Sequence, residues 1–300
     1  MDIKIQIEQG VLVSPVSKQH LKIHGGEYLL TEDEQEKYQL IAGNIPVLLA
    51  DDSETNDYVK ESIKMQEIYQ QYQPQKTEKK YSAKPGEFLL NYRRDFRNPA
   101  AKKAGQSIFR GDSSSGIYIS IGGGPTRAYP QLVNINIAPF PNVDIVADAH
   151  LLPYCDSVVD GIHCEAVLEH LRDPEQAVRE MYRVLKPGTK AYVCTPFLQA
   201  YHGYPHHYQN FTLTGHQHLF SSNGFEILES GTCVGPVHTM LSLTEILISQ
   251  YLPKLMAKPV SLAWRLLARM LYPLDKFVNT KDNAYIMAST TYLLAEKPLN

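Results

Sequence analysis

Short apolar runs alternate with amphipathic helical segments over the last two hundred residues of the chain. One helical segment spans residues 173–185, where apolar side chains recur every three or four positions. This alternation predicts an α/β fold with a parallel sheet covered on both faces, which binds ligands at the carboxyl ends of its strands. The predicted strands are residues 117–121, 132–137, 144–147, 158–163, 191–195, 225–229 and 285–295.

The first hundred residues follow a different pattern. Ile3, Ile5 and Ile7 alternate with polar residues, which predicts a half-buried strand. Residues 1–50 are predicted to form a small β-rich unit. Residues 51–100 are predicted to hold a helix (56–72) and a polar linker (73–86). The second domain would then span residues 101–300, with a helical insertion over 240–279.

Composition narrows the classes of function. The 300 residues include 29 basic and 32 acidic side chains and carry a formal charge of −3. This balance excludes a generally basic nucleic-acid-binding protein, and no nucleic-acid partner is expected. The four cysteines contain no C-x-x-C pair, which disfavours a disulfide scaffold or a cysteine zinc site and fits a cytoplasmic location. No apolar run reaches the length of about 18 residues typical of a membrane-spanning helix.

Three strand ends carry residues suited to binding a ligand. The first strand of the second domain leads directly into Gly122, Gly123 and Gly124, which permit a tight turn and leave backbone N–H groups open to a ligand. Asp148 follows the third strand, where its carboxylate could accept a hydrogen bond from an exocyclic amine, and Glu165 follows the fourth. Each feature also has a structural explanation, because glycine clusters form ordinary loops and aspartates cap helices.

Further motifs follow the glycine-rich loop at fixed spacing. They are Asp-Ala-His-Leu-Leu-Pro at 148–153, Val-Leu-Glu-His at 167–170 and Arg-Val-Leu-Lys-Pro-Gly at 183–188. In this order they resemble the class I S-adenosylmethionine-dependent methyltransferases, especially the group that acts on small molecules, lipids and glycans. The resemblance covers about residues 115–235 and a closing strand at 285–297. It implies a Rossmann-like, seven-stranded methyltransferase sheet with an antiparallel last strand, and S-adenosylmethionine as the cofactor.

The resemblance also implies roles for individual residues at the cofactor. Gly122 and Gly124 would line the methionine moiety, Asp148 would bind the adenine amine, and Ala149 would lie beside the ring. His170 matches a family position, and its expected role is mainly structural. The full implied cofactor-binding set is Gly122, Gly123, Gly124, Asn136, Asp148, Ala149 and Glu165.

Two positions depart from the family pattern. Ser120 and Asn136 stand where the family usually has acidic residues, and the second position binds the ribose hydroxyls, which an asparagine can still bond. Glu165 is implied to lie near the sulfonium and the acceptor. The departures leave open a non-catalytic, methyltransferase-like binding or scaffold protein as the alternative. A nicotinamide dehydrogenase is disfavoured because the loop lacks the G-x-G-x-x-G spacing.

The acceptor is predicted to meet the segment 201–208, which is rich in tyrosine and histidine. Histidines could take a proton near neutral pH, and tyrosines could shape a pocket. The stretch resembles one found in family members with an N-terminal ribbon, and this resemblance makes His202, His207 and Tyr208 the candidate catalytic residues. The alternative is a loop that packs on the sheet, with Thr212 capping the next helix. The five histidines between 202 and 218 lack a known ligand spacing, so no metal is predicted. The expected reaction is O- or N-methylation of a small-molecule, glycan or lipid-linked acceptor.

The N-terminal unit resembles a small zinc-ribbon-type domain. Ser14, Ser17, Thr31 and Glu34 stand at the positions of its four metal ligands, so binding of zinc by cysteine is lost. A unit with so small a core is expected to dock on the second domain. Either it binds an acceptor or partner, or it supports folding.

The C-terminal part is basic, with six basic and three acidic side chains over residues 241–282. One side of a helical pattern carries Lys258, Ser261, Arg265, Arg269 and Lys276, and the other side carries Val260, Trp264, Leu267 and Leu271. A basic amphipathic helix of this kind can contact an anionic membrane through residues 258–276. The favoured interpretation is a lid packed over the acceptor pocket or a homodimer face.

Overall fold

The computed structural model describes residues 2–41, 44–51, 57, 59–61, 64, 96–109, 116–203 and 206–299. The helix predicted over residues 56–72 and the linker predicted over 73–86 fall mostly on residues outside these ranges. Tyr204, within the segment predicted to meet the acceptor, also lies outside them.

The described strands form one mixed sheet. They are β1 (Leu21–His24), β2 (Tyr28–Thr31), β3 (Lys37–Ile41), β4 (Ile45–Leu48), β5 (Tyr118–Ile121), β6 (Leu132–Asn136), β7 (Ile145–Ala147), β8 (Val159–Glu165), β9 (Leu185–Pro196), β10 (Glu226–Val234) and β11 (Thr290–Glu296). Their order is β1-β2-β3-β4-β7-β6-β5-β8-β9-β11-β10. Strands β5 to β9 are parallel, and β11 runs antiparallel to β9 and β10. The chain from residue 101 onward supplies seven of these strands, β5 to β11, and β1 to β4 of the N-terminal unit extend the same sheet beyond β7 to eleven strands.

The middle of the sheet is covered on both faces. Every residue of β5, β6 and β7 is buried, as expected for parallel strands between two layers of helices. Successive side chains point to opposite faces, so Ile119 belongs to one apolar core and its neighbour Tyr118 to the other. In β9, Val193 and Tyr192 divide between the two cores in the same way.

The direction in which the sheet grows reverses at β5. From β5 the chain continues through β6 and β7 on one side and then adds β8 and β9 on the other. A crevice forms at the carboxyl ends of the strands on either side of such a reversal, and ligands of parallel α/β sheets bind there. The topology therefore places any binding site beyond Ile121 and Glu165, the last residues of β5 and β8.

The N-terminal unit shares this sheet and its main core. Strand β4 pairs in parallel with β7, with Val47 opposite Val146 and Leu48 opposite Ala147. Leu12, which belongs to the main core, forms an isolated bridge with the buried Tyr154. The unit thus rests on the second part of the chain, as expected for a segment with little core of its own.

Two of the four positions that resemble zinc-ligand sites are buried. Ser14 Oγ accepts hydrogen bonds from the backbone N–H groups of Val16 and Ser17, each at 3.0 Å. Thr31 Oγ1 accepts one from the N–H group of Glu36 at 3.1 Å. Hydrogen bonds therefore hold both loops in shape, and the resemblance of this unit to a zinc ribbon stays a prediction.

The described helices are α1 (Ile3–Glu8), α2 (Pro99–Gln106), α3 (Pro174–Val184), α4 (Leu213–Ser221), α5 (Pro236–Tyr251), α6 (Lys254–Leu271) and α7 (Asp275–Val278). The strand predicted over Ile3, Ile5 and Ile7 is wrong, because these residues lie in α1. The side chain of Asp2 caps this helix by accepting a hydrogen bond from the N–H group of Lys4 at 2.8 Å. Ile3 and Ile7 lie one turn apart and pack on the core, while Ile5 remains 43% exposed.

Two further boundaries differ from the prediction. The last strand begins at Thr290, because its partner β9 ends at the opposite residue, Pro196, and Ala284–Met287 form a 3₁₀ turn before it. The helix expected to begin at Val167 is the single 3₁₀ turn Leu168–His170. It cannot continue because Leu171 is extended and a new helix starts at Pro174.

The helical insertion predicted over 240–279 begins earlier, at Pro236, and consists mainly of the pair α5 and α6. Trp264 packs against α5 and donates a hydrogen bond from Nε1 to the carbonyl of Leu241 at 3.3 Å. Val260 and Leu267, predicted to lie on the same side as Trp264, are exposed. Within the described ranges, no helix combines the length and the apolar character needed to cross a membrane.

Candidate functional site

A cavity of about 450 Å³ opens at the carboxyl ends of β5, β6, β7 and β8, where the strand order reverses. Apolar residues, among them Ile137, Phe140 and Leu171, form part of its wall. The structure brings six of the seven predicted cofactor-binding residues together around this space: Gly122, Gly124, Asn136, Asp148, Ala149 and Glu165.

At two of the three glycines of the loop, close contacts leave no room for a side chain. Gly122 has a φ of +69°, and a Cβ there would lie 2.2 Å from Cγ2 of Val167. A Cβ on Gly123 would lie 2.2 Å from Oδ1 of Asn134, so this glycine packs on β6 and does not line the cavity. Gly124 also has a positive φ, +59°, but a Cβ there would meet nothing within 4 Å. Nδ2 of Asn134 donates to the Gly124 carbonyl at 3.0 Å and so fixes the loop from below.

Asn136 and Asp148 both take part in local turns at the cavity wall. Oδ1 of Asn136 accepts a hydrogen bond from the N–H group of Ala138 at 3.1 Å. Oδ1 of Asp148 accepts one from the N–H group of His150 at 2.9 Å and lies 2.6 Å from Nδ1 of the same histidine. Burial alone would lower the pKa of His150, but this hydrogen bond with Asp148 outweighs it and raises the pKa. These contacts with His150 hold the Asp148 side chain in place at the cavity edge.

Glu165 closes the cavity at the end of β8. Its Oε1 lies 2.5 Å from Nη1 of Arg97 and 3.4 Å from Nε2 of His163. Burial alone would raise the pKa of Glu165, but the hydrogen bonds from His163 and Arg97 outweigh it and lower the pKa to about 2. Glu165 is therefore ionised at neutral pH and orients Arg97, and the low pKa makes it a weak proton acceptor.

A second cavity, of about 310 Å³, adjoins the first through Glu165 and Ala166. Polar side chains of its wall come from distant parts of the chain: Arg97, Thr195, Gln199, His238, Tyr272, Ser289 and Thr290. Thr195 is fully buried, and within the described part of the chain its Oγ1 has no hydrogen-bond partner. Since a buried hydroxyl without a partner carries an energetic cost, this atom is a candidate contact for a polar ligand group.

A third cavity, of about 280 Å³, shares Gln199, His238 and Ser289 with the second. Tyr201 and His202 line it on one side, and the first half of α5 lines it on the other. The three cavities thus form a series that runs from the glycine-rich loop to the surface between α5 and residues 198–202.

The three candidate catalytic residues are not equivalent in the structure. Of the three, only His202 lines one of these cavities. His207 accepts a hydrogen bond from the N–H group of His202 at Nδ1 and pairs through Nε2 with Oδ1 of Asn210 at 2.7 Å. Tyr208 is exposed, and its backbone N–H group bonds to the carbonyl of Glu169 at 2.8 Å. Both residues hold the loop in shape at the positions described here.

His216, further along the chain, lies in a different environment from the histidines of this loop. It is fully buried beside Phe211 and Phe220, and burial lowers its pKa to about 3, so it is neutral in the folded protein. His218, two residues later, is exposed on α4. The structure therefore does not gather the five histidines of residues 202–218 into one metal site.

Three residues of the site were not found by sequence reasoning. Arg97 comes from the region predicted as a linker and reaches the site because it bridges to Val234. His238 lies in the first turn of α5, where Nδ1 pairs with the Tyr272 hydroxyl at 3.1 Å. Asn134 lies inside a buried strand, and a polar residue in an otherwise apolar run was the one available signal.

Comparison with known proteins gives a partial family match. The Methyltransferase domain family matches residues 129–193, which include β6 to β8 and most of β9. This segment is similar to part of a methyltransferase domain. The match falls on the strands whose ends carry Asn136, Asp148 and Glu165, and it supports the predicted enzyme class and cofactor.

Curated relatives match over a similar length. The chain is 39% identical over 80 residues to the ubiquinone/menaquinone biosynthesis C-methyltransferase UbiE of Klebsiella pneumoniae, a match of 24% of this chain and 32% of that protein. It is 38% identical over 80 residues to UbiE of Escherichia coli. The chain thus spans about a third of the length of the curated relatives it matches.

Solved structures match the chain at low identity and with low TM-scores. Phosphoethanolamine N-methyltransferase 2 of Haemonchus contortus, in complex with S-adenosyl-L-methionine, is 15% identical with a TM-score of 0.40; the match covers 70% of this chain and 56% of that one. The YcgJ protein of Bacillus subtilis is 16% identical with a TM-score of 0.38, over 66% and 98% of the two chains. With TM-scores this low, the residue roles below rest on the geometry of the cavities.

Proposed function

We propose that this protein transfers a methyl group from S-adenosylmethionine to a polar acceptor that occupies the second cavity. The observation that carries the proposal is the connection of the two cavities at Glu165, next to the glycine-rich loop. A methyl donor in the first space and an acceptor in the second would meet at this junction. Methyl transfer depends mainly on such alignment of donor and acceptor.

The residues of the first cavity fit the cofactor by their chemistry. Gly122 and Gly124 leave space for the amino-acid part, and Asn136 and Asp148 offer polar groups for the ribose hydroxyls and the adenine amine. Ala149 and the neighbouring apolar side chains suit the face of an aromatic ring. When bound, S-adenosylmethionine supplies an electrophilic methyl group. The role of the protein is then to hold both partners and to exclude water.

The residues of the second and third cavities would bind and orient the acceptor. Thr195 would give its unsatisfied Oγ1 to an acceptor hydroxyl or amine, and Gln199 and His238 would contact the same group from the shared wall. His202 is the candidate base nearest to the acceptor path, because it lines the third cavity. His207 and Tyr208 would act indirectly by holding the loop that carries His202.

Isothermal calorimetry with S-adenosylmethionine and its demethylated product tests the first half of this proposal. We expect binding in the micromolar range and a loss of at least about tenfold in affinity for Asp148→Ala, since a charged hydrogen bond contributes about 1.5–3 kcal/mol. Asp282→Ala removes an exposed carboxylate outside the cavities and is the matched control. Absence of binding at millimolar cofactor would favour the non-catalytic alternative. Unchanged affinity of Asp148→Ala would refute the assignment of the adenine contact.

The acceptor side is tested by methyl-transfer assays with panels of small hydroxylated molecules, glycans and lipid-linked acceptors. Thr195→Val keeps the shape of the side chain and removes the hydroxyl. We expect it to raise KM for the acceptor or lower kcat while leaving cofactor affinity unchanged. Thr291, also fully buried but outside the cavities, provides the control Thr291→Val. A variant at Thr195 with normal kinetics would place the acceptor elsewhere.

The surface near the mouth of the third cavity favours a lipid-linked acceptor. Helix α6 has a single fully buried residue, Ala268, and Leu255 and Met270 are 90% and 77% exposed. Its exposed apolar residues repeat along one side of the helix: Leu255, Met256, Val260, Leu262, Leu266, Leu267 and Met270. Helix α5 exposes a second apolar row, and Leu243 of this row lines the third cavity. Patches of this size on a protein surface mark contact with a partner or a membrane.

The basic residues of α6 favour an anionic membrane over a protein partner as the surface that contacts these apolar rows. Four basic residues follow one another at intervals of four or seven positions, which places them along one edge of the apolar side of α6: Lys254, Lys258, Arg265 and Arg269. Arg265 forms an ion pair with the buried Glu245 at 2.7 Å, and the other three basic residues keep this edge basic. We therefore propose that α6 lies in the headgroup region of an anionic bilayer.

Sedimentation with phosphatidylglycerol-containing vesicles tests this docking. We expect Leu262→Glu to reduce partitioning by at least about tenfold, because burial of a leucine side chain contributes about 1.5–3 kcal/mol. Val16→Glu, a like change at an exposed valine of the N-terminal unit, is the control and should bind normally. Light scattering is the second measurement. A dimer that Leu262→Glu dissociates, with no vesicle binding, would assign this face to a second copy of the chain instead.

A further inference from the structure

A buried carboxylate lies beside the cofactor cavity without a role in the reaction proposed above. Glu169 belongs to the 3₁₀ turn Leu168–His170, and its side chain has no exposed surface. Among the residues that the structure describes, neither of its carboxylate oxygens has a hydrogen-bond partner. An isolated buried carboxylate is strongly unfavourable, so a compensating positive charge is expected next to it.

Two histidines face this carboxylate from different elements. Nε2 of His170 lies 3.7 Å from Oε1 of Glu169, and Nε2 of His202 lies 3.8 Å from the same oxygen. His170 comes from the 3₁₀ turn, whereas His202 comes from the loop after β9. These distances exceed those of hydrogen bonds, and the three ligand atoms lie within 4.8 Å of one another.

The opposite ring nitrogens fix how both histidines present Nε2. Nδ1 of His170 lies 2.5 Å from the carbonyl oxygen of His206, and Nδ1 of His202 lies 2.9 Å from that of Ala200. A carbonyl can only accept, so each Nδ1 carries the proton and donates it. In the neutral ring the lone pair is then on Nε2, which faces Glu169. Metal-bound histidines are oriented by the same kind of hydrogen bond from the second ring nitrogen.

We propose that Glu169, His170 and His202 bind a divalent first-row transition metal ion, with zinc as the reference ion. Two imidazoles and one carboxylate are a common ligand set for zinc and its neighbours. Ligand bonds of about 2.0–2.1 Å at a tetrahedral angle separate two ligand atoms by about 3.3 Å, so each of the two distances from Glu169 to a histidine would have to shorten by about half an ångström. A water or an acceptor oxygen would complete the coordination. With the ion bound, His202 would act as a ligand and not as the base proposed above.

Such an ion would tie two parts of the site together. His170 lines the cofactor cavity and His202 lines the third cavity, so the ion would sit between the methyl donor and the acceptor path. The loop is already fastened to the same 3₁₀ turn by the backbone bond from Tyr208 to Glu169 at 2.8 Å. The metal would add a cross-link that holds this loop in one position. It would also supply the positive charge that the buried carboxylate lacks.

Elemental analysis and zinc titration of the chelator-treated, full-length protein at roughly pH 7.5 test the site, because the imidazoles must be neutral to bind. We expect about one equivalent of zinc per chain and a rise in Tm on its addition. Cobalt(II) should give the visible absorption of a low-coordinate nitrogen–oxygen site. His202→Asn should weaken binding by at least about 100-fold and abolish the rise in Tm.

The matched control is His218→Asn, which removes an exposed histidine outside the cluster and should bind zinc like the parent protein. His202 is partly exposed, so its variant is expected to fold, and Glu169→Gln provides an isosteric second variant. Equal zinc affinity in the parent and the His202 variant would overturn the proposal. So would a parent protein that binds no zinc, since Glu169 and His202 would then share a proton in place of a metal.

Discussion

The two cavity-lining glycines of the loop offer a test in which the same substitution has different structural consequences. Gly122→Ala and Gly124→Ala each place a Cβ at a positive φ, +69° and +59°, which costs about 1–2 kcal/mol in a left-handed conformation. At Gly124 the new methyl group meets nothing within 4 Å. At Gly122 it would lie 2.2 Å from Val167 Cγ2. Overpacking of this kind adds about 1–3 kcal/mol.

The expected loss of stability is therefore about 1–2 kcal/mol for Gly124→Ala and about 2–5 kcal/mol for Gly122→Ala. Urea unfolding followed by circular dichroism measures both values. Because the additional cost at Gly122 comes from one methyl group, adding Val167→Ala should recover about 1–3 kcal/mol in a double-mutant cycle. The same Val167→Ala change should show no coupling with Gly124→Ala.

The loss of cofactor affinity should not parallel the loss of stability. Gly124→Ala extends a methyl group from a residue of the cavity wall and should weaken binding of S-adenosylmethionine although it costs little stability. Equal destabilisation by the two alanines would refute the packing argument, as would the absence of coupling between Gly122 and Val167. A Gly124→Ala protein that binds the cofactor normally would remove this residue from the cofactor site.

Three further predictions concern charge and burial. The pKa of Glu165 is lowered to about 2, so its ion pair stabilises the fold above about pH 4.5, and this stabilisation is lost as the pH falls toward 2. The Glu165→Gln variant lacks this carboxylate. Between about pH 5 and 3, urea unfolding should therefore show a shallower loss of stability for the variant than for the parent protein. His216 must stay neutral in the fold, so stability should fall as the pH drops below about 6.5, and His216→Phe should flatten that dependence. Arg183 donates to two backbone carbonyls and to Glu180, and Arg183→Lys should cost about 2–4 kcal/mol in the same assay because the lysine cannot satisfy all of them.

The part of the site that sequence could predict is the part built from strand ends. Gly122, Asp148 and Glu165 each follow an apolar run, and parallel strands bring such positions to one edge of the sheet. Their assembly around one cavity follows from local patterns alone. The family match over residues 129–193 rests on the same elements.

The rest of the site depends on contacts between distant segments. Arg97 reaches Glu165 through a bridge to Val234, and no local pattern encodes a pairing over such a separation. His238 forms part of the wall of two cavities because α5 begins directly after β10 and packs against the 3₁₀ turn Ala284–Met287 that precedes β11. The sequence motif around His170 indicates a mainly structural role for this residue. The motif does not reveal that the loop after β9 folds back and places His202 beside His170.

The N-terminus illustrates how two periodicities compete in a short segment. Apolar residues at 3, 5 and 7 fit a strand, but positions 3 and 7 also fit one face of a helix. Asp2 decides the outcome, because its side chain caps the first turn. Asp2, a capping residue directly before the alternating isoleucines, favours a helix, and the strand prediction did not take it into account.

The parallel pairing of β4 with β7 has a consequence for the solubility of the folded chain. Without the first 48 residues, β7 would end the sheet as an apolar, fully buried strand with open N–H and C=O groups, which is a template for pairing with other chains. Strands β4 to β1 move that boundary outward to Leu21–His24, where three of four residues are exposed and one is a lysine. The N-terminal segment thus shields the edge of the parallel sheet from pairing with other chains.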